Sequence, residues 1–368
     1  MYHYKGKRGT FPWKLLLAWL PPVLMTGAFY LLRGNTALMT IWVQNIMAPV
    51  MQTVGRFWGL FPFAVGEAWA ALTIAALILW VLWAIVRLIR DREGRPFLRR
   101  ILAAVCFLFW LWGLFCWLWN CNYYAEDFSR RAGLKDDPTA PEQLAMVTVF
   151  FAQQAAALSD DVPRDEMGRF AADEDTYFQN GPAVYDNLSR IYPELKLDSG
   201  PAKKLLFSRF QSILGFTGVY FPFTGEANVN VDAPACLVPA TIAHEMSHQR
   251  MVAAEEEANF VGILACITSD DVVYQYSGYL SGLTHLANAL NDLSPELLQT
   301  IMAEIFTEEL RTDWNENYHY WKELDSSTQD KATEVYDGFL KHNGQSLGLL
   351  SYGACVDLLV NYFTTPAV

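Results

Sequence analysis

Two histidines four residues apart, His244 and His248, stand in the run Thr241-Ile242-Ala243-His244-Glu245-Met246-Ser247-His248. On a helix that spacing puts both imidazoles on one face, about 6 Å apart along the axis. Two imidazoles so placed can share one Zn2+. Glu245 directly follows His244, so its carboxylate can reach the same cleft and take a proton from a metal-bound water. A third protein ligand is still needed. Glu255 is the first candidate, because Asn259 follows it by one turn and can orient a ligating histidine. Glu256 and Glu257 are read as solvated helix-face charges, with replacement of Glu255 as ligand the alternative.

These groups need a particular local fold. A helix over residues 238–250, with Pro239 near its start, carries both histidines. A second helix over 255–268 faces a core through Phe260, Ile263 and Cys266. One straight helix would carry Glu255 roughly 10 Å beyond His248, out of reach. The chain must therefore bend within 249–254, although no Gly or Pro stands there. Upstream, 210–232 is β-branched and aromatic, broken by Gly and Pro, and reads as short strands. Asn228, Val229, Asn230 and Val231 alternate polar and apolar, as a half-exposed edge strand would. Such an edge beside the histidine helix can bind an extended peptide by strand addition.

Charge divides the chain. Residues 1–121 carry 12 Lys+Arg against 3 Asp+Glu, whereas 122–368 carry 15 against 36. The first part is also strongly apolar. Runs over about 12–32, 68–86 and 101–119 are each long enough to span a bilayer. Pro21-Pro22 falls inside the first, which a membrane helix tolerates. Residues 34–66 read as an interfacial or re-entrant segment in the aromatic belt. The basic N-terminus and the connector holding Arg87, Arg90, Arg92, Arg95, Arg99 and Arg100 are cytoplasmic by the positive-inside rule. Three spans that start inside end outside, so 122–368 is expected beyond the membrane. Its acidity argues against a nucleic-acid partner, whose phosphates need neutralising cations.

Residues 141–158, 272–292, 295–311, 328–342 and 352–363 read as helices, with a further helix at 181–191 and an amphipathic piece at 201–207. Residues 159–180 read as an acidic loop. Its Asp173-Glu174-Asp175 run fits no Ca2+ loop template, so a solvated face is the better reading. The six cysteines show no CxxC spacing and read as buried free thiols. A disulfide among Cys236, Cys266 and Cys355 is open if the domain is extracytoplasmic.

HEMSH followed by EEEAN resembles the HExxH…ExxA(D/N) pattern of the gluzincin class of zinc metallopeptidases. That resemblance implies Glu255 as third zinc ligand and Asn259 as the group behind a ligand. An amide there can accept a bond from an imidazole N–H but brings no charge. More closely, the chain is similar to a bacterial membrane-anchored family of unassigned function. That family has short N-terminal spans, a PFTGEANVN-like stretch (Pro222–Asn230), the zincin helix and an SYG-like tail (Ser351-Tyr352-Gly353). The likeness covers most of the chain. It makes Tyr352 the first candidate to stabilise an oxyanion, with His285, His319 and Tyr320 as others.

The expected fold is mainly α. Three N-terminal transmembrane helices precede a mostly helical, zincin-like α+β domain with a small sheet. The expected function is a membrane-anchored zinc metallopeptidase, with the bilayer and a peptide or protein substrate as partners. A non-catalytic, metal-stabilised binding protein or scaffold is the alternative. An intact Glu245 favours the enzyme, since zinc coordination does not require it. Intramembrane proteolysis is excluded by Arg250 and Glu255–Glu257, which are too polar for a lipid-buried span.

Overall fold

The structure, a computed structural model, describes residues 13–135, 137–198, 200–324, 326–343 and 352–365. In chain order its helices begin with α1 (Trp13–Leu32), α2 (Thr36–Trp42), α3 (Ala48–Trp58), α4 (Val65–Asp91), α5 (Gly94–Leu118) and α6 (Phe128–Arg131). There follow α7 (Pro141–Leu158), α8 (Glu174–Asn180), α9 (Leu188–Ile191), α10 (Ser208–Ile213), α11 (Val238–Gln249) and α12 (Glu255–Thr268). The last are α13 (Val272–Leu293), α14 (Pro295–Ile305), α15 (Glu308–Leu324), α16 (Ser327–His342) and α17 (Tyr352–Thr364). Strands β1 (Lys203–Lys204), β2 (Gly218–Phe221) and β3 (Glu226–Val229) form one sheet in the order β1-β3-β2. The chain is thus mainly helical with a small three-stranded sheet. It divides into two compact units, Met1–Asn35 with Trp69–Cys121, and Thr36–Ala68 with Asn122–Val368.

α4, which enters the first unit at Trp69, and α5 are long and apolar enough to cross a membrane. The apolar stretch described in α1, Leu17–Leu32, is shorter. α1 packs against α5. Pro22 has no N–H to give the carbonyl of Ala18 one turn back. Trp110 Nε1 and Cys106 Sγ, both on α5, donate to that oxygen instead, at 3.1 and 3.5 Å. The helix therefore continues through its proline pair with a freed backbone group satisfied by a neighbour. The basic residues 1–11 lie outside the described residues.

In the second unit α13 packs against α7 and α12, and α12 against α11. Their apolar faces build one core around Phe151, Ile242, Met246, Phe260, Tyr274 and Tyr276. Asp313 is fully buried and fully engaged: it takes bonds from Arg164 Nη1 at 2.7 Å, Tyr276 Oη at 2.5 Å and the N–H of Phe170. Residues 36–68, expected in the anchor, belong to this unit. A buried clasp ties their last part to the sheet. Glu226 of β3 accepts the N–H groups of Val65 and Gly66 at the start of α4, where the helix dipole favours a carboxylate. Lys203 of β1 neutralises Glu226 and donates to the carbonyls of Trp58 and Phe63.

Several expectations change. β3 is the central strand, parallel to β1 and antiparallel to β2, and every residue in it is buried. Asn228, Val229 and Asn230 are therefore no substrate edge. The asparagines alternate with apolar neighbours because their Nδ2 groups donate inside the fold. Asn228 Nδ2 donates to the carbonyls of Val219 and Glu226, and Asn230 Nδ2 to Ser212 Oγ and the carbonyl of Phe216. The amphipathic piece at 201–207 holds strand β1, since Lys203 and Lys204 pair with Asn228 and Val229. The 295–311 segment breaks at Phe306, and Thr307 Oγ1 accepts the N–H of Leu310 to start α15. Residues 173–175 open a helix: Asp173 caps α8 by accepting the N–H of Thr176, and Lys204 pairs with Glu174 and Asp175. All six cysteines are buried and free, so no disulfide joins Cys236, Cys266 and Cys355.

Candidate metal centre

α11 brings His244 and His248 to one face, with ring centroids 4.8 Å apart and planes at 86°. The bend required after it is a helix-ending turn built without glycine. The N–H of Val252 bonds the carbonyl of Ser247, and the N–H of Met251 that of His248. This is the paired pattern that closes a helix around a left-handed residue. Met251 takes that role at φ 62°. A side chain there costs ~1–2 kcal/mol of backbone strain. Burying a Met side chain returns ~1.5–3 kcal/mol, and Met251 is buried. The burial outweighs the strain, which is why no breaker is visible in the sequence. Arg250 locks the turn. Its guanidinium lies 3.6 Å over the Tyr185 ring and donates to the carbonyls of Leu195 and Met246.

α12 then starts at Glu255 and runs back along α11. Gly262 allows the approach: a Cβ there would lie 2.9 Å from the backbone nitrogen of His244. Glu255 Oε2 comes to 3.3 Å from His244 Nε2 and 3.8 Å from His248 Nε2. One ligand atom from each of the three residues lies within 4.8 Å of the others, and no other such group of His, Cys, Asp and Glu occurs among the described residues.

Tautomers and charge suit a cation. His248 Nδ1 is 2.7 Å from the carbonyl of Val252, which makes Nδ1 the donor and leaves Nε2 with a lone pair toward Glu255. Burial, and then the neighbouring His244, push the His248 pKa down to about 4 against the pull of Glu255. Burial alone would raise Glu255. The bond from His244, the charges of both histidines and the Tyr336 hydroxyl hold it at about 2. His244 is shifted up, because the bond to Glu255, the charge of Glu245 and the nearby Asn259 outweigh its burial. Asn259 borders this imidazole, but His244 Nδ1 itself has no hydrogen-bond partner.

Glu245 is buried against β2, where Gly218 makes room for its carboxylate. Its Oε2 has no hydrogen-bond partner. Burial pushes its pKa up to about 8, with His244 opposing and Glu255 adding to the shift. A buried carboxylate with an open oxygen beside three ligand atoms suits proton transfer.

The remaining candidates separate. Glu257 is not a ligand here: it accepts the N–H groups of Phe128 and Ser129 at 2.9 and 2.7 Å, capping α6. Glu256 lines a cavity of about 310 Å3 beside α6 and α17 whose lining includes none of the three clustered residues. His285 sits within electrostatic reach of His244, and its pKa falls to about 4 through burial and that neighbour. His319 is exposed on α15. The Tyr320 hydroxyl is committed to Ser212 and Asp232. Tyr352 opens α17, and its side chain lies outside the described residues, as does Ser351. The residue that reasoning from sequence missed is Tyr336 on α16, whose hydroxyl donates to Glu255 Oε1 at 2.6 Å. Nothing local marks it, because it lies 81 positions from its partner.

Residues 42–360 match the family model described as "Protein of unknown function (DUF3810)". No curated protein matches the chain. No solved structure matches it.

Proposed function

We propose that this chain, which belongs to the DUF3810 family, is a membrane-anchored zinc metallopeptidase that hydrolyses peptide bonds outside the cytoplasm. One observation carries the reading: His244, His248 and Glu255 converge their ligand atoms within 4.8 Å while Glu245 keeps an unpartnered buried oxygen alongside. Two imidazoles and a carboxylate form the donor set of a catalytic zinc, which keeps one position open. The residues present fit that ion, down to the tautomer that Val252 imposes on His248. When bound, zinc would polarise a peptide carbonyl and acidify water.

The chain's own residues supply the rest. Glu245 takes a proton from the attacking water and hands it to the leaving amine. Gly218 keeps β2 from displacing that carboxylate. β2, at the edge of the described sheet, takes the substrate-aligning role first given to β3, by adding an extended peptide antiparallel or parallel to itself. Tyr336 orients Glu255 through its hydroxyl. α1, α4 and α5 serve as the three spans. The arginines around the α4–α5 turn hold that turn in the cytoplasm, which leaves Asn122–Val368 outside.

The test is Glu245→Gln. Zinc content should stay at one per chain, because Gln keeps the shape and Glu245 is not a ligand. Cleavage of a peptide library should fall by about 10²–10⁴, the usual worth of general base work. If zinc-loaded wild type cleaves nothing and the two proteins behave alike in cells, the peptidase reading is wrong and a metal-stabilised binding protein remains.

A further inference from the structure

α10 is built inside out. Ser208 and Ser212, one turn apart, are buried. Ser208 Oγ donates to the carbonyl of Leu205 and accepts the N–H of Val231. Ser212 Oγ accepts from Asn230 Nδ2 and from the Tyr320 hydroxyl. The apolar side chains lie open: Phe210 on α10 is 57% exposed, and Leu206 and Phe207 just ahead of it are 68% and 54% exposed. A helix facing water has the opposite pattern, with its large apolar residues in and its hydroxyls out.

This face is tied to the start of α4. Glu67, on the first turn of that helix, accepts the N–H groups of Leu206 and Phe207 at 2.6 and 2.9 Å. Lys203, three residues before Leu206, holds the carbonyls of Trp58 and Phe63 just ahead of the same helix. Phe57, Phe61 and Phe63 are exposed there too, in a chain of edge-on ring contacts. The apolar run of α4 begins immediately after Glu67. Two segments far apart in sequence therefore bring bare aromatic and aliphatic side chains to the first turn of α4 and the residues just before it.

We propose that Leu206, Phe207 and Phe210, together with Phe57, Phe61 and Phe63, form a membrane-docking face that inserts into the headgroup–acyl boundary of the bilayer α4 enters. The occupant is lipid. Aromatic residues flanking the end of a span are stable at that boundary, and Glu67, which holds Leu206 and Phe207, stands in the chain directly before the apolar run. The inference rests on the reading of α4 as a membrane helix and is independent of catalysis.

The full chain, in vesicles of phosphatidylethanolamine and phosphatidylglycerol, provides the test. Its native cysteines are buried, so single cysteines at Leu206→Cys, Phe210→Cys, Ile78→Cys and Met167→Cys can carry a thiol-reactive fluorophore. Ile78 lies in the apolar run of α4, and Met167 is an exposed apolar residue on a turn of the second unit. Lipid spin-labelled near the headgroup should remove most of the fluorescence at 206 and 210 and little at 167. Lipid labelled deep in the chain should quench 78. Quenching at 206 and 210 no greater than at 167, with 78 quenched, overturns the docking face and leaves the span. That outcome is expected if another protein or a second copy covers the face. No quenching at 78 overturns span and docking together. None of these outcomes reads hydrolysis, so a failed peptidase assay leaves the result intact.

Discussion

Gly218 of β2 lies directly under the carboxylate of Glu245 on α11: a Cβ at position 218 would fall 2.5 Å from Oε1. A strand residue without a side chain is thus what allows a buried carboxylate beside the histidine pair. Gly218→Ala should push Glu245 aside without touching His244, His248 or Glu255. Peptide hydrolysis should drop by about 10²-fold, the usual effect of misplacing a reacting group by an ångström. Zinc content, read by elemental analysis of the same sample, should not change. Full activity in Gly218→Ala would show that the position of Glu245 is not critical.

Glu255 and Glu257 are two residues apart and have different jobs. Glu255→Ala should abolish zinc binding, because one of the three proposed ligands is lost. Glu257→Ala should keep zinc and lose stability, because the N–H groups of Phe128 and Ser129 are left without their acceptor. Leaving such groups unsatisfied costs about 1–3 kcal/mol. Metal analysis paired with a thermal melt in detergent reads both. The reverse result, metal lost at 257 and kept at 255, would reassign the ligand.

Tyr336 bonds Glu255 through its hydroxyl, so Tyr336→Phe removes that hydrogen bond and keeps the ring against Phe216. Loss of a group that orients a ligand typically weakens metal binding 10–100-fold, and about that factor is expected here. Competition with a chromogenic chelator measures it. An unchanged zinc affinity would reduce Tyr336 to a packing residue.

At Met251 the two terms of the turn can be separated. Met251→Ala loses the buried side chain and keeps the left-handed strain. Met251→Gly loses that burial and the Cβ as well, and relieves the strain, a gain of ~1–2 kcal/mol less the ~0.5–1 kcal/mol of extra backbone entropy that glycine carries. Both should melt below wild type, and Gly above Ala. Ala at or above Gly would mean that the turn is not strained.

What could be read from the order of residues was local. The i, i+4 pair His244 and His248, the neighbouring Glu245, the proline-opened helix at 238 and the helix resuming at 255 all depend on groups a few positions apart. Backbone geometry converts such spacings directly into faces and turns. The helical pattern of 141–158, 272–292 and 328–342 was legible for the same reason. The apolar runs of α4 and α5 were legible from composition alone.

Whatever depends on partners far along the chain was decided by tertiary structure. Asn228 and Asn230 alternate like an exposed edge, yet β1 pairs with Asn228 and Val229, and both asparagine Nδ2 groups donate inside the fold. A polar side chain whose hydrogen bonds are met inside gives the same pattern as one facing water. Glu257 looks like a surface charge until the N–H groups of Phe128 and Ser129, 129 and 128 positions away, are brought to it. Trp58, Phe63, Val65 and Gly66 give no local sign of a partner, yet Lys203 and Glu226 bond their backbone. Tyr336 meets Glu255, and Met251 bends without glycine, because burial contributed by distant elements outweighs local preference. The order of residues determined which groups could do chemistry here, and packing between remote segments decided which of them meet, since a hydrogen bond or a buried side chain depends on distance in space and not on distance along the chain.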